Sequence, residues 1–293
     1  MHSFFTPERH RLIVEHLTLK NPVHILNQQL ADTGVPPAEL SSLILEVTAL
    51  HEQAKTLKPT SFTNNQFRTQ PAPVVKVPVP EPIKEGYPST IDVDGQVVRV
   101  ALQMTLPRLV VFENVLTPEE CDALIELASP SIDRSTVVNH GDGASVVSTA
   151  RTSSGAYFHK GQHELIDKID RRLATLTNWP YEKGEGLQVL CYEPGQEYVP
   201  HHDWFDPNAP GSSTVIGAPG NRVGTLVLYL NDVEEGGSTS FPESGLHVMP
   251  KKGSAVFFSY DSPTMDTKTL HAGSPVVKGV KWVATKWLRE NTF

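Results

Sequence analysis

One stretch of this chain concentrates groups that can do chemistry: Tyr198-Val199-Pro200-His201-His202-Asp203-Trp204-Phe205. In an extended strand, residues i and i+2 share a face. His201 and Asp203 therefore present an imidazole and a carboxylate together, and His202 points to the other side. A third donor is available in Leu270-His271-Ala272-Gly273, about seventy residues further on. Two imidazoles and one carboxylate are the facial donor set of non-haem Fe(II) oxygenases, and three such ligands leave three octahedral positions open. A bidentate 2-oxo acid and dioxygen fit those positions. His-x-Asp alone is a frequent chance pattern, and a lysine further downstream gives it weight. Lys281 lies ten residues after His271, at the start of Lys281-Trp282-Val283-Ala284-Thr285-Lys286-Trp287. In a strand, Lys281, Val283, Thr285 and Trp287 share one face. An inward lysine among such residues is costly unless paired, and a bound dicarboxylate supplies the partner.

These groups need a frame of strands. Residues 187–192, 224–230, 254–258 and 282–287 are the clearest strand patterns, and nearly everything after Trp179 reads as strands and turns. Upstream, Asp94-Gly95 sits between two valine-rich runs and predicts a hairpin. Residues 109–112 read as a buried strand. Thr117-Pro118-Glu119-Glu120 caps a helix carrying Cys121, Leu124, Ile125 and Leu127, and helical spacing returns over residues 164–173. Helices followed by many short strands predict an α+β chain with a mainly β domain, an antiparallel barrel or sandwich with helices packed on one side. Gly236-Gly237 reads as a tight strand connection, because no helix start follows it as a phosphate loop requires. The long loop over 206–221 reads as a lid beside the His-x-Asp motif, and 135–150 as a polar, glycine-containing loop.

The first part of the chain differs in composition. Residues 1–58 read as a small helical region, with Thr6-Pro7-Glu8 as a start signal and Leu12, Ile13, His16 and Leu17 on one face. A second helix begins near Pro36-Pro37-Ala38-Glu39-Leu40 and carries Leu40, Leu43, Ile44, Val47 and Leu50 as its apolar stripe. This region holds no catalytic constellation and reads as a docking or homodimerisation element. Residues 59–90 are a proline-rich linker of polyproline character, with a strap laid over the next domain as the alternative. The catalytic domain is expected over 91–293.

Composition excludes several classes. The chain has 293 residues, 39% hydrophobic and 20% charged, with Lys plus Arg 25 against Asp plus Glu 33 and a formal net charge of -8. No basic footprint for nucleic acid exists, and an acidic protein gains nothing at an anionic membrane surface. No apolar run approaches the length of a membrane span. Only two cysteines occur, Cys121 and Cys191, and two reduced thiols are the simpler reading. The N-terminus shows no secretory signal pattern, so a cytoplasmic location is expected.

Over about residues 107–289 the chain resembles the prolyl 4-hydroxylase family of Fe(II)- and 2-oxoglutarate-dependent dioxygenases. The matching pieces stand in the family's order: Arg151-Thr152-Ser153; Leu187-Gln188-Val189 with Tyr192; Tyr198-x-x-His201-x-Asp203; Arg222-Val223 ahead of Leu228-Tyr229-Leu230-Asn231-Asp232-Val233; Gly236-Gly237-Ser238-Thr239-Ser240-Phe241-Pro242; Pro250-Lys251-Lys252-Gly253-Ser254-Ala255; and His271-Ala272-Gly273-Ser274-Pro275-Val276 with Gly279-x-Lys281-Trp282. The resemblance does not reach residues 1–90.

It implies a double-stranded β-helix, a jelly-roll or cupin-like fold with buttressing helices. It implies His201, Asp203 and His271 as catalytic iron ligands. It implies Lys281 as partner of the distal carboxylate of 2-oxoglutarate, with Tyr192 and Thr239 as hydroxyl donors to it. Arg222, Tyr198 and Trp287, with Arg151 and Ser153, fall where the family contacts its peptide. The implied reaction is hydroxylation of a peptidyl proline at C4 with O2 and 2-oxoglutarate, releasing succinate and CO2, with Fe(2+) as cofactor and L-ascorbate as its reductant. Free proline, another amino acid or a protein lysine are alternative substrates, and a binding module without catalysis is the alternative of another class. Many family members carry cysteine where this chain has Ser274, a departure that fits a reducing compartment.

Overall fold

A computed structural model describes residues 76–83, 85–138, 145–147 and 150–293, together with single residues and short stretches between 13 and 48. The chain divides into two compact units, residues 1–72 and 73–293.

In the first unit, Pro37–Glu39 forms a 3-10 turn with Pro37 at its first position, and residues 40–44 continue as helix. Proline suits that start because its missing N–H would have had no partner there. Leu43 and Val47 are buried with Ile13, Leu26, Leu30 and Val35, and Leu40 and Ile44 pack against them. The expected start signal at Thr6-Pro7-Glu8, its face residues Leu12, His16 and Leu17, and Leu50 lie outside the described residues. So do residues 59–75 of the proline-rich segment.

Residues 76–83 of that segment form a strap within the second unit. Val77 N–H donates to Asp261 O at 2.9 Å, and Lys76 Nζ pairs with Asp261 at 2.8 Å. Glu81 pairs with Arg108. Pro80 is buried, and a Cβ on Gly224 would come within 3.2 Å of its ring. The alternation of prolines favours this extended course.

The second unit is built from antiparallel strands. They run β1 (Thr90–Val93), β2 (Gln96–Met104), β3 (Arg108–Glu113), β4 (Asp133–Arg134), β5 (Thr136–Val138), β6 (Ser145–Val147), β7 (Ser154–Phe158), β8 (Gly184–Tyr192), β9 (Tyr198–His201), β10 (Arg222–Tyr229), β11 (Glu235–Gly236), β12 (Thr239–Phe241), β13 (Leu246–Val248), β14 (Ala255–Ser259), β15 (His271–Gly273), β16 (Val276–Lys278) and β17 (Lys281–Arg289). The larger sheet has the order β1-β2-β3-β14-β10-β17-β8-β7-β4, and the smaller has β13-β12-β15-β9. Asp94 and Gly95, both at positive φ, make the β1–β2 turn, as the type I′ geometry of a two-residue hairpin requires. The polar loop expected over 135–150 contains the β5–β6 hairpin.

Strand alternation gives the larger sheet two different faces. Leu226 and Leu228 of β10 join the core shared with helices α1 (Pro118–Ala128) and α2 (Glu164–Thr177). Val227 and Tyr229 point the other way, into a core completed by Phe241 and Val248 of the smaller sheet. Two antiparallel sheets thus pack face to face, with helices buttressing the outside of the larger one: the jelly-roll arrangement. Helix α1 starts at the Thr117–Glu120 capping box. Helix α2 ends on Asn178 at φ 49, a left-handed cap. Among the described residues no helix is long and apolar enough to cross a membrane.

Candidate active site

The smaller sheet brings the two imidazoles together. His271 of β15 and His201 of β9 are register partners across the sheet. Asp203 follows β9, and one donor atom each from His201, Asp203 and His271 lie within 4.8 Å of one another. His201 Nε2 stands 3.6 Å from Asp203 Oδ1, and His271 Nε2 stands 3.5 Å from Oδ2. Each histidine turns its other ring nitrogen back on the backbone two residues upstream. His201 Nδ1 meets Val199 O at 2.9 Å, and His271 Nδ1 meets Thr269 O at 3.0 Å. Such a bond to a carbonyl holds the proton on Nδ1 and leaves the Nε2 lone pair for a metal. His202 leaves this cluster and stacks on Trp204, ring centroids 4.5 Å apart.

Burial works against both charges here, and it loses only at the carboxylate. Desolvation alone would raise the Asp203 carboxyl, yet His271, His201 and Arg222 together hold it well below the usual carboxylate range. Burial, then the neighbouring His201, pushes His271 down to about 4 against the pull of Asp203. An ionised carboxylate beside a neutral imidazole is the protonation state that metal ligation needs. The donor set, its spacing and its protonation fit Fe(II).

The three residues line one pocket together with Arg151, Tyr192, Tyr198, Thr239, Lys281 and Trp287. Lys281 opens β17 opposite Tyr192 of β8. It is 3% exposed, and its Nζ lies 5.4 Å above the Tyr192 ring and 6.0 Å above that of Tyr229. Among the described residues no carboxylate pairs with it. Burial alone pushes its ammonium down to about 7. A buried cation without a counter-ion, in a pocket with the His-Asp-His cluster, fits the distal carboxylate of 2-oxoglutarate. Thr239 Oγ1 accepts a hydrogen bond from Tyr229 Oη at 2.8 Å, so its own proton stays available to a ligand.

The proposed peptide residues divide. Tyr198 stacks on His201 with centroids 3.6 Å apart. Arg151 lies with its Cζ 5.0 Å over Tyr198 and donates to Gln188 Oε1 at 3.1 Å. Tyr198, Arg151 and Trp287 all line the pocket. Ser153 does not: it is fully buried and donates to Ser135 Oγ at 3.0 Å. Arg222 is also absent from the lining. Its Nε and Nη2 donate to the Glu185 carboxylate at 2.7 and 2.9 Å, and its Cζ lies 4.0 Å over Trp287. Arg289 Nε donates to the same Glu185 oxygen at 2.7 Å. Burial would raise Glu185, and the two guanidinium groups bring it below the usual range instead. The 206–221 loop, expected as a lid, contains a short helix, α3 (Ser212–Ile216). Its ends are tied by paired bonds between Asn221 and Phe205.

Sequence reasoning missed Glu185, Thr225 and Tyr260. Thr225 Oγ1 donates to Asp203 Oδ2 at 2.7 Å and contacts Tyr260 Oη at 2.9 Å. The available signal was alternation: Thr225, Val227 and Tyr229 share the pocket-side face of β10.

Residues 187–289 match the 2OG-Fe(II) oxygenase superfamily. A collagen prolyl hydroxylase of Paramecium Bursaria Chlorella virus-1, solved as its 2OG complex, is 31% identical with a TM-score of 0.48, over 62% of this chain and 95% of its own. Prolyl 4-hydroxylase 5 of Arabidopsis thaliana is 42% identical over 208 residues, which is 64% of this chain and 70% of the plant protein. Prolyl 4-hydroxylase 2 of the same plant is 40% identical over 210 residues, 64% of this chain and 69% of its own length. With two fifths of the aligned residues identical across more than two thirds of the length of those plant enzymes, and with a pocket whose donors suit the cofactors, the chain belongs to the prolyl 4-hydroxylase family of 2-oxoglutarate- and Fe(II)-dependent dioxygenases.

Proposed function

We propose that residues 73–293 hydroxylate proline within a peptide or protein at C4. The observation that carries this reading is a single pocket that holds the His201–Asp203–His271 cluster and the buried Lys281, flanked by Tyr198 and Trp287. Fe(II), 2-oxoglutarate and O2 together supply the oxidising equivalent, with succinate and CO2 as co-products. The chain's own residues bind and orient. His201, Asp203 and His271 hold the metal, Lys281 takes the distal carboxylate, and Tyr192 and Thr239 donate to it. The walls of the pocket exclude water. Tyr198 and Trp287 offer flat apolar faces to a proline ring, and Arg151 backs Tyr198. A proline-rich peptide suits such a site because its polyproline conformation is preformed and little entropy is lost on binding.

L-ascorbate is assigned as the reductant that restores Fe(II). A cytoplasmic location is supported by two free cysteines, with burial pushing both thiols up to about 11. The N-terminal region, residues 1–58, is assigned to homodimer contact. The substrate assignment is tested by competition: equimolar free proline and a ten-residue proline-rich peptide are offered with Fe(II) and 2-oxoglutarate, and hydroxylated product is counted from each. Dominant product from the peptide supports the reading, and dominant product from free proline replaces it.

A further inference from the structure

Asp203 supplies the only carboxylate of the metal-binding cluster, and a carboxylate is a poor ligand unless its plane is fixed. Its terminal torsion is broad and lacks the sharp wells of an sp³ rotamer. Metal sites tolerate only about 0.5 Å of error in a donor's position. The two imidazoles do not fix it, since they stand at 3.6 and 3.5 Å, beyond the length of an ordinary hydrogen bond. Arg222 reaches the backbone oxygen of Asp203, at 3.5 Å, and not its side chain. Among the described residues one hydroxyl donates to the carboxylate: Thr225 Oγ1, at 2.7 Å from Oδ2.

That hydroxyl is itself held. Thr225 is 0% exposed and Tyr260 1%, and their oxygens are 2.9 Å apart. A hydroxyl has one proton. Thr225 spends its proton on Asp203, so Tyr260 Oη must donate to Thr225 Oγ1. The order is fixed: Tyr260 to Thr225 to Asp203. Successive hydrogen bonds of this kind polarise one another when shielded from water. The backbone places both donors firmly. Thr225 pairs with Trp287 and Phe258 inside the larger sheet. Tyr260 N–H donates to Val223 O at 3.1 Å. Both chain neighbours of Tyr260 are tied to the strap: Asp261 to Val77 and Lys76, and Ser259 through Arg108 to Glu81.

We propose that Thr225 and Tyr260 are positioning residues, a buried two-hydroxyl relay that fixes the Asp203 carboxylate for metal binding. This rests on the reading of His201, Asp203 and His271 as the metal ligands. Removing partners that orient a metal ligand typically costs 10–100-fold in affinity, and that sets the scale expected here.

The test is titration of the metal-free full chain with Co(II), read by its visible absorption, beside the melting temperature of each metal-free protein. Thr225→Val keeps the shape and removes the hydroxyl. It should bind Co(II) roughly 10–100-fold more weakly, with shifted absorption bands. Thr225→Ser restores the hydroxyl and should restore affinity and bands. Tyr260→Phe should weaken binding in the same direction, by less. Wild-type affinity in Thr225→Val or in Tyr260→Phe overturns the relay. So does a Thr225→Ser protein as weak as Thr225→Val, because the methyl group would then be what matters. If the melting temperature shows that Thr225→Val does not fold, Tyr260→Phe decides alone by the same criterion. A wild-type protein that takes up no Co(II) removes the ligand assignment itself, and the relay with it. Wild-type uptake together with an unaffected Thr225→Val removes only the relay.

Discussion

The guanidinium of Arg222 lies over the indole of Trp287, 4.0 Å from Cζ to ring centroid. Arg222 cannot turn to a ligand without leaving Glu185, so its contribution to substrate binding passes through the indole it supports. A stack of this kind is worth roughly 0.5–2 kcal/mol. Trp287→Ala should raise the peptide KM several-fold and leave the 2-oxoglutarate KM unchanged. Steady-state kinetics with each substrate varied in turn checks this, and a change in the 2-oxoglutarate KM alone would contradict it.

Glu185 answers two guanidinium groups from a site 5% exposed. Its removal leaves Arg222 and Arg289 as buried like charges without the carboxylate they share. Breaking such a buried pair costs about 3–5 kcal/mol. Glu185→Ala should lose that much unfolding free energy by urea denaturation, and a loss below about 1 kcal/mol, the range of an exposed pair, would rule out a structural role.

The cross-strand pairing of His201 with His271 puts both imidazoles on one side of the smaller sheet. His201→Ala and His271→Ala should abolish succinate release, whereas His202→Ala, which removes only the stack on Trp204, should keep most of it. Equal damage from the His201 and His202 changes would sink the face argument.

Lys281→Ala should raise the 2-oxoglutarate KM ten- to a hundredfold, the equivalent of about 1.5–3 kcal/mol for a charge-assisted contact. The pH dependence has a definite sign. Burial lowers the ammonium to about 7 in the unliganded protein, and only the protonated form attracts a carboxylate. The 2-oxoglutarate KM should therefore be flat below pH 7 and climb above it, by up to about tenfold per pH unit. A KM that falls between pH 7 and 9 in the wild type would contradict the assignment, as would the same rising profile in Lys281→Met.

Much of this site is legible in the sequence because most of its residues lie in strands, and Asp203 directly follows one. Period-two alternation places Lys281, Val283, Thr285 and Trp287 on one face, and the pocket is lined by those same four residues. It also separates His201 from His202. Alternation says which way a side chain points and nothing about what it meets there. Arg222 reads as free to touch a peptide because its partner, Glu185, sits on another strand and carries no local signal. Ser153 likewise lies within a promising motif but faces Ser135. Thr225 and Tyr260 are invisible for a different reason. Threonine and tyrosine are ordinary strand residues, and only the pairing of β10 with β14 brings them toward one another. The strap is open to two readings because proline content fixes an extended backbone without saying whether it is covered.

The strap also bears on the order in which the chain assembles. Val77 is made early, and its partner Asp261 arrives when almost the whole unit has been synthesised. Contacts so distant in sequence form late, because loop closure must be met before they are rewarded. The strap's proper seat, between Arg108 and Asp261 and over Gly224, exists only once β3, β10 and β14 lie side by side. The oldest piece of the nascent unit is therefore among the last to dock.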